Sequence, residues 1–101
     1  MILYCVTVTV DAEIAKDWRD WMEDVHIPQV LDTGYFDAYT LARVLDPQDE
    51  CEQITFEIHY RTGSVDRLKR YEDKAADALR TEHTERYNGR FKASRRVLQG
   101  L

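Results

Sequence analysis

A histidine at a helix corner, an arginine among apolar strand neighbours and a set of tyrosines and tryptophans are the side chains of this 101-residue chain that could do chemistry. His26 lies in the run from Trp18 to Val44, WRDWMEDVHIPQVLDTGYFDAYTLARV, just ahead of Ile27-Pro28. An imidazole titrates near neutrality and its surroundings move it either way, so His26 is a candidate general base or substrate hydrogen-bonder at the mouth of a pocket. A structural task is also open to it, with the ring bonded to a backbone carbonyl and holding the corner. Arg95 shares a strand side with Phe91, Ala93 and Val97. A guanidinium in that company needs a partner, either a protein carboxylate or the carboxylate or enolate of a ligand. Tyr4 and Tyr60 fall on the same side as Arg95 if Tyr4 points to the helices. Trp18 and Trp21 either line an aromatic-binding pocket or are plain core.

The remaining histidines, His59 and His83, make no H-x-H or H-x-x-x-H spacing with His26, and no carboxylate cluster accompanies them, so no metal site is expected. Cys5 and Cys51 lack the Cys-x-x-Cys spacing of a zinc knuckle or redox dithiol. They read as reduced thiols, with pairing across strands as the other option. No cofactor motif is present.

To position these groups the chain has one domain, residues 1–101, large enough to bury a single core. It is 44% hydrophobic and 33% charged with 4 Gly and 2 Pro, which is the composition of a folded globular protein. The net charge of -5 offers no general attraction to nucleic-acid phosphates or anionic lipid, so neither is an expected partner. The apolar start, Met1 to Val10, is too short to span a bilayer and lacks a basic flank, which leaves the cytoplasm as the expected location.

Ile2 to Val10 alternates as a first strand, with Ile2, Tyr4, Val6, Val8 and Val10 on one side. Asp11 is placed to cap a helix whose apolar stripe is Ile14, Trp18, Trp21, Met22 and Val25. Pro28 disfavours the α region at Ile27, so this helix is expected to end about His26, followed by a short turn from Gln29 to Asp32 that Gly34 stops. Tyr35 to Leu45 reads as a second strand, paired as a hairpin with Gln53 to Tyr60 across the polar turn Asp46 to Glu50. Ser64 is a cap for a second helix with Val65, Leu68, Tyr71, Ala75 and Leu79 on its apolar face. Thr81 to Tyr87 extends that helix or forms a short one of its own. Asn88-Gly89 stops it before a last strand, Phe91 to Leu98.

The order βαββαβ predicts a ferredoxin-like α+β sandwich, a four-stranded antiparallel sheet with both helices on one face. The other face would carry Cys5, Thr7, Thr9, Thr55, Glu57 and His59. Small, β-branched and paired polar residues suit contact with another sheet better than open water, which favours a homodimer through this face. An RNA-recognition module would need exposed aromatics and basic residues on the third strand, and Gln53 to Tyr60 carries Glu57 instead.

With Trp21, Met22, His26-Ile27-Pro28, Val30-Leu31, Thr33-Gly34, Phe36, Arg90-Phe91 and Arg95 in place, the chain resembles over its whole length a bacterial domain-of-unknown-function family, DUF4286. More distantly it is similar to the dimeric α/β-barrel superfamily, which includes antibiotic-biosynthesis monooxygenases, EthD-like proteins and muconolactone isomerases. That resemblance implies paired ferredoxin-like sheets and, in each subunit, a ligand pocket between sheet and helices with a histidine near the end of the first helix, the place of His26. It transfers a pocket and not a reaction.

Two functions are therefore carried forward. One is a cofactor-free enzyme, of monooxygenase, isomerase or cyclase type, holding a small hydrophobic or aromatic carbonyl or phenolic compound, with His26 moving a proton and Arg95 or a tyrosine stabilising an oxyanion. The alternative is a non-catalytic small-molecule-binding or protein-assembly module.

Overall fold

The computed structural model describes residues 1–101. Four strands, β1 (Ile2–Asp11), β2 (Ala38–Arg43), β3 (Gln53–Thr62) and β4 (Phe91–Gln99), form one antiparallel sheet in the order β2-β3-β1-β4. Two helical segments, residues 12–32 and 65–87, fill the β1–β2 and β3–β4 connections. This is the ferredoxin-like α+β sandwich. The register aligns Tyr4 with Tyr60 and Val97, and Val6 with Ile58 and Arg95, so Tyr4, Tyr60 and Arg95 do lie on one side. The β2–β3 hairpin forms as expected, with Tyr39 opposite Tyr60.

The core lies between the sheet and the helices. Val8, Val10, Phe56 and Ile58 come from the strands, and Trp18, Ile27, Val30, Leu68 and Tyr71 from the helices. Phe36 joins them from the connection before β2, its ring 5.2 Å from Tyr60 and 4.8 Å from Tyr71. The second strand is accordingly shorter than the aromatic run suggested. Tyr35 and Phe36 belong to the approach, where Thr62 donates its hydroxyl to the Tyr35 carbonyl at 2.8 Å.

The largest correction concerns the first helix, which does not end at His26. It passes through α-helix Ala15–Trp21, a π turn Met22–His26 and α-helix Ile27–Asp32 without a break. Ile27 keeps helical angles, φ -61 and ψ -45, and its N–H bonds to the Met22 carbonyl five residues back. Proline has no N–H to give the carbonyl four residues earlier and its ring crowds that group. The wider π turn takes up the mismatch, so Pro28 is housed in the helix.

Asp11 is likewise no cap. It ends β1 and makes no side-chain bond to the helix; its carboxylate instead accepts from Arg90 Nε. Ser64 does cap the second helix, accepting from the Arg67 N–H at 3.2 Å. That helix runs unbroken to Tyr87, with its own π turn at Glu72–Ala76. Gly34 and Gly89 follow the two helices with φ of +83 and +76, the left-handed stop that suits glycine. No helix is long and apolar enough to cross a membrane.

Candidate functional site

The π turns decide which side chains meet between the helices and the sheet. In the first helix Trp18, Met22, His26 and Val30 are buried at steps of four, so His26 sits on the inner face. In the second, the step from Tyr71 to Ala76 is five, and His83 and Tyr87 are buried further along the same helix.

Between them is a cavity of about 50 Å³. Met22, His26 and Val30 wall it from one helix, Tyr71, Arg80 and His83 from the other. The sheet supplies Tyr4, Val6 and Val8 from β1, Ile58 and Tyr60 from β3, and Phe91, Ala93 and Arg95 from β4. Four expected site residues, His26, Tyr4, Tyr60 and Arg95, thus converge. Trp18 and Trp21 do not reach the cavity wall and stand behind the histidines. Trp18 is fully buried, stacked on Phe56 at 4.8 Å, and its Nε1 donates to His83 Nε2 at 2.8 Å. Trp21 lies 5.2 Å from the His26 ring and under the Arg86 guanidinium. Both pack behind the cavity wall in this structure.

The polar groups of the cavity differ sharply in how they are satisfied. Arg80 donates to the Tyr4 hydroxyl at 2.6 Å and to both carboxylate oxygens of Glu72 at 2.8 Å. His26 Nδ1, by contrast, is buried without any hydrogen-bond partner, so the bond to a backbone carbonyl that would make it a corner bolt is not made there. Burial, helped by the positive charge of Arg95, pushes His26 down to about 4. His83, whose ring centroid is 5.8 Å away, is also pushed to about 4, by burial first and then by His26 and Arg95. Both imidazoles are therefore neutral at pH 7.

Arg95 is exposed at the cavity mouth, and none of the ion pairs of the chain includes it. It lies on β4, an edge strand of the sheet. Burial holds the Tyr60 hydroxyl well above its ordinary value and raises Tyr71 to about 12, so both stay protonated. No cluster of three His, Cys, Asp or Glu side chains forms a metal cage.

Sequence reasoning passed over His83, Arg80 and Tyr71 as site residues. A signal for His83 existed: the stripe Ala75, Leu79 continues by fours to His83 and Tyr87. Arg80 carried none, because its inward reach to Tyr4 depends on the π turn.

The open face of the sheet is built in a contrasting way. Glu57 accepts from Arg96 Nη2 at 3.1 Å and Thr7 Oγ1 at 3.4 Å, and shares a 2.6 Å bond with His59 Nε2. Thr55 gives its one hydroxyl proton to Asp49, so Thr9 is the donor in the 2.8 Å Thr9–Thr55 bond. Cys5, on the same face, is fully buried among these neighbours, and both cysteines are free thiols.

Comparison with known proteins supports the fold. HapK from Hahella chejuensis superposes with a TM-score of 0.72 at 12% identity, covering 100% of this chain and 93% of that one. An ethyl tert-butyl ether D (EthD) family protein from Bacillus halodurans gives 0.72 at 9% identity with full coverage of both chains. A dimeric ferredoxin-like protein from an uncultured marine organism gives 0.66 at 8% identity, covering 100% and 95%. At such identities these similarities establish the fold alone. No curated protein matches the sequence. The family described as "Domain of unknown function (DUF4286)" matches residues 1–101, and the chain belongs to that family.

Proposed function

We propose that the cavity is the working site of a small cofactor-free enzyme of the dimeric α/β-barrel kind, acting on a small carbonyl or phenolic compound. The observation that carries this is the convergence on one apolar cavity of the neutral His26 ring and the Arg95 guanidinium, which pairs with no carboxylate of the chain. A ligand at the mouth would meet Arg95 without displacing a protein partner. Arg95 would hold the oxygen on which negative charge develops, and His26 would move the proton. Held near 4, His26 is a weak base, so it removes a proton only from a group that Arg95 has already acidified, such as a phenol or the carbon beside a carbonyl.

Volume limits the compound. A cavity that takes benzene measures about 150 Å³, three times the present one. An aromatic ring would have to project past Arg95, whereas a short aliphatic carbonyl compound fits inside. The non-catalytic reading draws its support from the same small volume: a module that stores or senses a compact molecule needs no more room.

The partner proposed for the open face is a second copy of the chain. Its polar groups are already paired with one another and would lose little on contact with a second sheet, and the marine relative is described as dimeric. Two thiols left unpaired suit the reducing cytoplasm. Nucleic acid does not fit an acidic chain with Glu57 at the centre of this face.

Native mass spectrometry of freshly purified protein, followed by turnover assays on small carbonyl and phenolic compounds, tests the reading. It expects a dimer, and conversion that drops at least tenfold in His26→Ala. Conversion unchanged by that substitution removes His26 from the mechanism; a bound compound recovered unaltered favours storage or sensing.

A further inference from the structure

His83 is held in a single tautomer, and that fixes what the cavity can recognise. An indole N–H only donates, so the 2.8 Å bond from Trp18 Nε1 requires an unprotonated Nε2 on His83. The proton of the neutral ring therefore sits on Nδ1. No protein group accepts from that Nδ1–H, and the nitrogen is not sealed off in the way His26 Nδ1 is.

The rest of the polar lining also donates. His26 keeps its buried Nδ1 without a partner, and an unmet acceptor there costs less than an unmet donor, which places its proton on Nε2. Arg95 offers only N–H groups, and the Tyr60 and Tyr71 hydroxyls keep their protons. The Glu72 carboxylate is occupied by Arg80, which also fills the Tyr4 oxygen and so frees the Tyr4 proton for donation. The cavity presents these donors, the Thr84 hydroxyl, which can donate or accept, and one unpaired positive charge, and no free carboxylate. Its volume of about 50 Å³ corresponds to roughly four water-sized spheres at 10–15 Å³ each.

We infer that the ligand is a compact organic anion, a short-chain carboxylate or keto acid, received by the His83 Nδ1–H and the Arg95 guanidinium without any proton being taken up. This rests on the reading of the cavity as a small-molecule site and narrows it by class. The groups that face His26 and His83 are Arg95 from β4, Tyr4 from β1, Tyr60 from β3, and Tyr71 and Arg80 from the second helix. None of these changes charge between pH 6 and pH 8, and neither histidine does.

The test uses the unmodified protein and one surface variant. Nitrogen-15 NMR of histidine-labelled protein at pH 7 should show His83 as the Nδ1–H tautomer. Calorimetric titration with pyruvate and acetate, against neutral acetamide, should show binding of the anions at least about tenfold tighter, a difference of 1.4 kcal/mol. Their affinity should change less than about twofold between pH 6 and pH 8, with the same heat in buffers of different ionisation enthalpy. Arg95→Gln should weaken pyruvate about tenfold or more. An Nε2–H or doubly protonated His83, proton uptake on binding, or acetamide binding as well as acetate would overturn the inference. If a neutral aromatic compound binds or turns over while the anions do not, the anion assignment falls and the small-molecule site stands. If the anions bind as described and no compound is converted, the catalytic reading falls and the anion site stands.

Discussion

The two faces of the sheet handle polar groups in opposite ways. On the open face Glu57 has partners on its own strand β3, on the neighbouring β1 and on β4 beyond it, although water is within reach. On the covered face, where an unmet group costs most, His26 Nδ1 goes without, and Arg95 at the exposed rim pairs with no carboxylate. A chain built for stability alone would satisfy the buried nitrogen first. The two faces thus differ in where hydrogen bonding is complete, and the proposed site lies on the side where it is not.

The widest separation between the faces is expected on acidification. His26 and His83 ionise near 4 in the folded chain and near 6.5 when unfolded, so the unfolded state binds more protons in between. Their contribution is complete above pH 6.5 and is lost as the pH falls toward 4, by up to about 3 kcal/mol for each imidazole. Glu57 is held below the usual carboxylate range, first by His59 and then by Arg96, and so its contribution survives until the pH falls below about 4.5. Urea unfolding at pH 7, 5.5 and 4.5 checks the order; stability that is flat from pH 7 to 5 would mean the histidines are not buried neutral.

Trp18→Ala should be next in size. It removes a fully buried ring stacked on Phe56 and takes the donor from His83 Nε2, so a loss on the order of 3 to 5 kcal/mol is expected in denaturant titration. Trp21, half-buried and covered by Arg86, should cost less when cut to Ala. Equal losses would contradict the placement of the two rings.

The smallest effect belongs to Glu57→Gln. Its partners His59 and Arg96 are 36% and 59% exposed, so the isolated chain should lose less than about 1 kcal/mol. If a second copy covers the face, the same substitution leaves Arg96 unneutralised inside an interface, and the dimer weakens measurably in sedimentation. A dimer indifferent to Glu57→Gln would move the interface elsewhere.

Much of this was legible in residue patterns. The alternation of Tyr4, Val6 and Val8 fixed the covered face, and that of Ile58, Tyr60 and Arg95 carried it across the register. What escaped were features that depend on one residue more or less. Pro28 signals a helix end in every local rule, yet the π turn at Met22–His26 lets the helix continue. The same surplus at Glu72–Ala76 shifts the stripe by one position, so the spacing of Leu68, Tyr71 and Ala75 points away from Arg80. Arg95 was placed on the correct side, but strand alternation says nothing about how far the helices extend over an edge strand.

The π turn beside His26 also makes the helix tolerant of a change in length. Each residue advances an α-helix by about 100°, and the turn holds one residue beyond the α repeat. After loss of a single codon between Met22 and His26 the Ile27 N–H could keep the Met22 carbonyl as an ordinary bond four residues back, so the helix beyond would hold its phase. What would be lost is the room made for Pro28, whose ring would again crowd the carbonyl four residues before it. A three-base deletion there would thus trade the slack around one proline for a regular helix and leave the inward face of Ile27 and Val30 where it packs.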